Sequence, residues 1–177
     1  LEHVKSMGFR GEALASIASI ADVELVSRTH DSDIGYKIVI KAGEILEKEE
    51  VGCAVGTSNT VTDLFFNTPV RYKFLKKDFT ESGYIEDVVT RIGLVNTNIA
   101  LKLINSGKVI IQTSGNGDMK TVVYNIYGKD IAENVMEVEY DYEDIKVTGV
   151  VGKPVIARSN RSNQQFFVNK RYIKDKG

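Results

Sequence analysis

The chain has 177 residues, 42% hydrophobic, 27% charged and 8% aromatic, with 23 Lys and Arg against 24 Asp and Glu for a net charge of -1. That length and composition fit an ordinary folded chain of one domain or one and a piece, and two prolines argue against linkers or compositional disorder. No apolar run approaches the roughly 18 residues a membrane span needs, no secretory h-region follows the first residues, and the single Cys53 forms no internal disulfide. With His3 and His30 far apart, no zinc cage can be written, and a reducing, cytoplasmic setting is expected. Both ends read like cuts through a longer protein.

In chain order, Leu14, Ile17, Ala18 and Ala21 predict a helix from about Glu12 to Ala21. Val23 to Thr29 and the alternating Tyr36 to Ile40 read as strands, and Glu44 to Val51 and Thr57 to Leu64, separated by Gly52 and Gly56, as two more. Asn67-Thr68-Pro69 signals a helix entry, with Thr68 as the cap and Pro69 in the first turn. Ile85, Val88, Val89, Ile92 and Val95 trace one face of a longer helix. A hairpin from Ile99 to Thr113 turns at Asn105-Ser106-Gly107, and a helix with Met119, Val122, Val123, Ile126 and Tyr127 stops at Gly128. Strands at Val135 to Tyr142, Ile145 to Val151 and Gln164 to Val168 complete an α+β pattern, with a domain boundary near Asn67 to Phe74.

The near-zero net charge hides asymmetry. Six acids and no base lie between Glu133 and Asp144, whereas seven bases and one acid lie from Lys153 to Gly177. Arg71, Lys73, Lys76 and Lys77 form a second basic group.

Three segments carry chemistry. Gly8-Phe9-Arg10-Gly11-Glu12 leads into a helix, and such a loop either cradles a phosphate with its backbone N–H groups or merely shapes the helix entry. Along a strand, Thr57, Asn59, Val61 and Asp63 share one face, where Thr57 beside Gly56 either meets a nucleotide base or decorates an exposed edge strand. Lys170, Arg171 and Lys174 follow a short strand and either face a nucleic-acid backbone, with Tyr172 available to stack, or form a solvated basic turn.

Read together, Gly8 to Ile17 (GFRGEALASI), Gly56 to Leu75 (GTSNTVTDLFFNTPVRYKFL) and Gln165 to Arg171 (QFFVNKR) resemble the MutL family of DNA mismatch-repair ATPases, in the same order and at similar separations. The resemblance implies the rear part of a gyrase/chaperone/histidine-kinase/MutL-type ATPase α/β sandwich over residues 1–67. It implies a second, transducer-like domain with a left-handed β-α-β crossover over residues 68–177. Gly8, Phe9, Arg10, Gly11 and Glu12 would be the end of an ATP lid around the phosphates, and Thr57 would line the adenine end. Arg171 matches a basic family position implicated in DNA contact, flanked by Lys170, which stands where the family usually has Gly, and by Lys174.

On the same resemblance the catalytic Glu, the magnesium-binding Asn and the adenine-recognition Asp lie upstream of residue 1, and a γ-phosphate-contacting Lys lies beyond residue 177. Glu12, with nothing to orient a water on it, is not a general base. The implied role is coupling of ATP binding and hydrolysis, with Mg2+, to dimerisation with a second copy and to mismatched-DNA binding. Mismatch-recognition and strand-processing partners, no membrane, and a cytoplasmic (in bacteria, nucleoid-associated) setting go with it. Two other readings stand beside it: a non-enzymatic DNA-binding module and a type II topoisomerase ATPase subunit, the latter disfavoured by Asn67-Thr68-Pro69 with Arg71 and Lys73-Phe74-Leu75.

Overall fold

The computed structural model describes residues 11–161 and 163–174, so Gly8, Phe9 and Arg10 lie outside the described residues. The chain forms two compact units that divide between Lys76 and Lys77. The segment that follows the last strand of the first unit is tied to that unit, with Phe65 N–H donating to Ile20 O (2.7 Å) and Asn67 Nδ2 to Ser19 O (2.9 Å).

In the first unit, helix α1 (Ala13–Ala18) leads into strands β1 (Asp22–Arg28), β2 (Gly35–Lys41), β3 (Glu44–Val51) and β4 (Gly56–Thr62), followed by helix α2 (Pro69–Lys73). The strands form one antiparallel sheet in the order β3-β2-β1-β4, which leaves β4 at an edge. The β2–β3 connection is a two-residue loop with Ala42 and Gly43 both at positive φ (50° and 86°), the backbone twist that tight hairpins favour. Buried Ala18, Ala21 and Val23, with Ile40 packed on them, make a small core where α1 meets β1.

Helix α1 ends earlier than its periodicity predicts. Its last carbonyls are taken by other segments: Gly43 N–H donates to Ala18 O (2.8 Å), Asn67 Nδ2 to Ser19 O (2.9 Å) and Phe65 N–H to Ile20 O (2.7 Å). Strand β4 also stops short of Leu64, because Asp63 and Phe65 take left-handed φ values of 50° and 69°. Thr68 occupies the cap position of α2, but its hydroxyl makes no capping bond; Pro69 sits in the first turn as expected.

The second unit holds helix α3 (Asp78–Val95), strands β5 (Lys102–Asn105) and β6 (Lys108–Gln112), helices α4 (Met119–Tyr127) and α5 (Lys129–Ala132), strands β7 (Val135–Tyr142) and β8 (Ile145–Gly152), and strands β9 (Phe166–Val168) and β10 (Arg171–Ile173). A 3-10 turn (Pro154–Ile156) follows β8. The strands pair as three antiparallel hairpins. The β5–β6 turn has Ser106 and Gly107 at φ 49° and 77°, as Asn-Ser-Gly predicts. Helix α4 starts at Asp118, whose carboxylate accepts from Lys120 N–H (3.1 Å) and Thr121 N–H (3.0 Å), and stops at Gly128 (φ 86°).

Leu94, Val122, Val123 and Val135 are the buried centre of this unit, with Ile126, Ile131, Val150 and Phe167 packed around them. Helix α3 presents Thr90, Gly93 and Leu94 to that core rather than the full stripe read from the sequence. Ile85 and Val88 are exposed, because the contact is made only over the last turns, where a Cβ at Gly93 would lie 3.5 Å from Ile126. Among the described residues no helix is long and apolar enough to cross a membrane. The fold is α+β.

Candidate functional site

Gly11 has φ +70°, a conformation that favours glycine, and a Cβ there would meet nothing within 4 Å among the described residues. Glu12 follows at the head of α1; its carbonyl accepts from Ser16 N–H (2.9 Å), while its side chain makes no capping bond and is exposed. Six residues of helix supply little dipole, so any anion affinity here depends on the loop's own N–H groups.

Thr57 is the second residue of the edge strand β4 and pairs with Ser27 of β1. Their hydroxyl oxygens lie 2.8 Å apart, and the Ser27 hydroxyl also donates to the Gly56 carbonyl at 3.3 Å. Nearby in sequence, Asp63, Leu64, Phe65, Phe66, Pro69 and Tyr72 line an open, largely apolar cavity of about 260 Å³. No group of three or more His, Cys, Asp or Glu among the described residues could hold a metal ion.

The basic residues Lys170, Arg171 and Lys174 are brought together on the β9–β10 hairpin. Val168 pairs with Arg171, so Asn169 and Lys170 are the two turn residues, at φ 48° and 65°. Lys170 therefore adopts the left-handed conformation itself. Arg171 is half-buried within β10, while Lys170 in the turn and Lys174 just after the strand are exposed.

Tyr172 is half-buried and already holds two contacts inside the second unit. Its ring meets Phe167 edge-on at 5.8 Å between centroids, and the Arg91 guanidinium lies 3.8 Å from its centroid. Arg91 is also ion-paired to Asp87 one turn earlier on α3. Its Nε, like Oε1 of Gln165, is buried without a hydrogen-bond partner among the described residues. Burial raises the Tyr127 phenol above its ordinary pKa; the Asp87 carboxylate adds to this, while Gln165 and Arg91 oppose it. Sequence reading missed Arg91 and Ser27. The Asp87-to-Arg91 spacing on a helix was the available signal for the first; the partner of Thr57 needed the β1–β4 register.

The family model described as DNA mismatch repair protein, C-terminal domain, matches residues 123–177. The chain is 46% identical over 171 residues to the DNA mismatch repair protein MutL of Agathobacter rectalis, covering 97% of this chain and 26% of that protein. It is 50% identical over 173 residues to the MutL of a Clostridium botulinum strain, covering 98% of this chain and 26% of that one. Among solved structures it is similar to the Aquifex aeolicus MutL ATPase domain complexed with ADP, with 32% identity and a TM-score of 0.79 over 93% of this chain and 63% of that one. The chain thus spans about a quarter of the length of these curated relatives (26%). With this agreement along nearly all of its length, the chain belongs to the MutL family of DNA mismatch repair proteins.

Proposed function

We propose that this chain carries the nucleotide-responsive and DNA-contacting part of a mismatch repair protein that couples ATP binding and hydrolysis to dimerisation and DNA binding. The observation that carries this reading is the similarity over 93% of the chain to a MutL ATPase domain complexed with ADP. Gly8, Phe9, Arg10, Gly11 and Glu12 surround the phosphates through their backbone N–H groups, and the positive φ of Gly11 suits close approach of an anion. Thr57 offers its hydroxyl to the adenine end. The residues to 67 belong to the ATPase domain and the rest to a second, transducer-like domain.

Lys170, Arg171 and Lys174 contact the DNA backbone. Nucleotide biases an open-closed equilibrium of lid and dimer, and several kcal/mol of differential affinity, on the order of 5, are needed to switch it fully. The described residues offer no ligand set for magnesium, so no step is assigned to the ion in this chain. Mismatch-recognition and strand-processing proteins are the partners this role requires, in the cytoplasm and, in a bacterium, at the nucleoid.

The test is ATP binding and turnover by the chain alone beside a protein of the relatives' full length. Binding and turnover in the longer protein, weakened by Gly11→Val, with little or no turnover by the chain alone, is the expected result. Magnesium-dependent turnover by the chain alone would overturn the division of labour. Failure of the longer protein to bind nucleotide, with DNA affinity intact, would leave a DNA-binding module, a reading favoured by the basic hairpin of the second unit.

A further inference from the structure

Strand alternation gives the β9–β10 hairpin two faces. Phe167 and Tyr172 form one: Phe167 packs on the core of the second unit, and Tyr172 receives the Arg91 guanidinium at 3.8 Å. Phe166, Val168, Arg171 and Ile173 form the other, leaving Arg171 on the side away from α3, next to the Asn169-Lys170 turn. A three-residue strand pair is too short to hold its own orientation. What fixes it is the contact of its inner face with α3, and the charged part of that contact is Arg91. The guanidinium is neutralised by Asp87 and turned toward a ring, so its charge is spent inside the unit.

From this arrangement we infer that Arg91 is a positioning residue for DNA binding. By clamping Tyr172 it makes Lys170, Arg171 and Lys174 act as one rigid basic element rather than three independent charges. The inference rests on the reading of this hairpin as a DNA contact. A hairpin held in one orientation meets several phosphates at once, whereas a loose one must lose conformational freedom to do so and engages fewer of them, so the clamp raises both the affinity and the number of phosphate contacts without touching the nucleic acid.

The experiment titrates a short mismatch-free duplex with the 177-residue chain at several salt concentrations, well below the thermal midpoint of each variant. Arg91→Met keeps the aliphatic stem but removes the planar cation. It is expected to weaken binding roughly tenfold and to flatten the plot of log affinity against log salt by about 2, the loss of two or more phosphate contacts together. Arg91→Lys, which retains the charge but not the flat face, falls between. Tyr172→Leu, which leaves the Arg91–Asp87 pair in place, gives the same losses and keeps the test alive should Arg91→Met not fold.

In a background with Lys170, Arg171 and Lys174 all changed to Glu, Arg91→Met costs nothing further. A slope change of about 0.9 or less that adds to the hairpin changes would make Arg91 a direct phosphate contact and overturn the inference. Unchanged binding in both Arg91→Met and Tyr172→Leu, with the hairpin charges still mattering, would overturn it as well. If the Glu background itself binds DNA normally, the hairpin reading fails first, and the inference falls with it.

Discussion

Ser27 and Thr57 face each other across the β1–β4 ladder with hydroxyl oxygens 2.8 Å apart, and Ser27 Oγ lies 3.3 Å from the Gly56 carbonyl. A hydroxyl has one proton to donate. Either hydroxyl can be the donor between them; when Ser27 gives its proton to the Gly56 carbonyl, Thr57 donates to Ser27 and its Oγ1 keeps lone pairs for an incoming N–H donor such as an exocyclic amine. Thr57→Val preserves the β-branched shape that suits an edge strand and is expected to change stability by no more than about 0.5 kcal/mol. In a protein of the relatives' full length the same change lowers nucleotide affinity several-fold, while Thr57→Ser retains it. Calorimetric titration with ADP checks both, and full affinity in the Val variant would remove Thr57 from the nucleotide site.

Gly35 is required for packing rather than for backbone freedom. A Cβ there would lie 2.3 Å from Cys53 Sγ, 3.1 Å from the Ser27 carbonyl oxygen and 3.2 Å from that of Val51. Gly35→Ala is expected to destabilise the first unit by about 1–3 kcal/mol, the range of overpacking in filled sites. Cys53→Ala removes the sulfur and recovers part of the loss, but the two carbonyls remain. Denaturant midpoints of the two single variants and the double variant decide it. Strictly additive costs would show that Cys53 is not the neighbour that Gly35 accommodates.

The elements with local signals were legible in the sequence. Strand β3 falls on Glu44–Val51 and β7 on Val135–Tyr142, the bounds read from the sequence, and α4 stops at Gly128 for the reason read from the residue type. What was not legible depends on distant partners. Nothing near Ala18, Ser19 or Ile20 announces that Gly43, Asn67 and Phe65 will capture their carbonyls and end α1. The α3 face was misassigned because Thr90 and Gly93 are not apolar by type; they are buried by where α4 and β6 pack. The basic hairpin was found by charge, but the occupation of Tyr172 by Arg91 joins residues far apart in sequence and leaves no local trace.

Lys170 holds φ 65° at the second position of a two-residue turn whose first residue, Asn169, has φ 48°. Asn tolerates that region, whereas a left-handed conformation costs a longer side chain about 1–2 kcal/mol. Lys170→Gly is therefore expected to stabilise the second unit by about 1 kcal/mol while removing one charge, which lowers the salt slope of DNA binding by about 0.9. The denaturant midpoint and a salt titration read the two effects separately. A stabilised variant with an unchanged slope would show that Lys170 serves the turn and makes no phosphate contact.

Asp118 caps α4, and its carboxyl is held below the ordinary aspartate range, first by the hydrogen bond from the Thr121 hydroxyl and then by the backbone N–H groups of Thr121 and Lys120, with partial desolvation opposing them. A carboxyl whose folded pKa is depressed binds protons more weakly folded than unfolded, so its contribution is fully present above the unfolded value of about 4 and is lost as pH falls through the lower folded value. Asp118→Asn keeps an oxygen for the N–H groups but cannot ionise. The thermal midpoint of the original chain is expected to lie above that of the Asn variant at neutral pH, with a constant gap down to about pH 5. Below about pH 4 the gap closes as Asp118 takes up its proton. Midpoints measured across that window for both proteins decide the matter. Curves that stay parallel to the acid end would mean that the ionised cap adds nothing beyond what a neutral amide supplies.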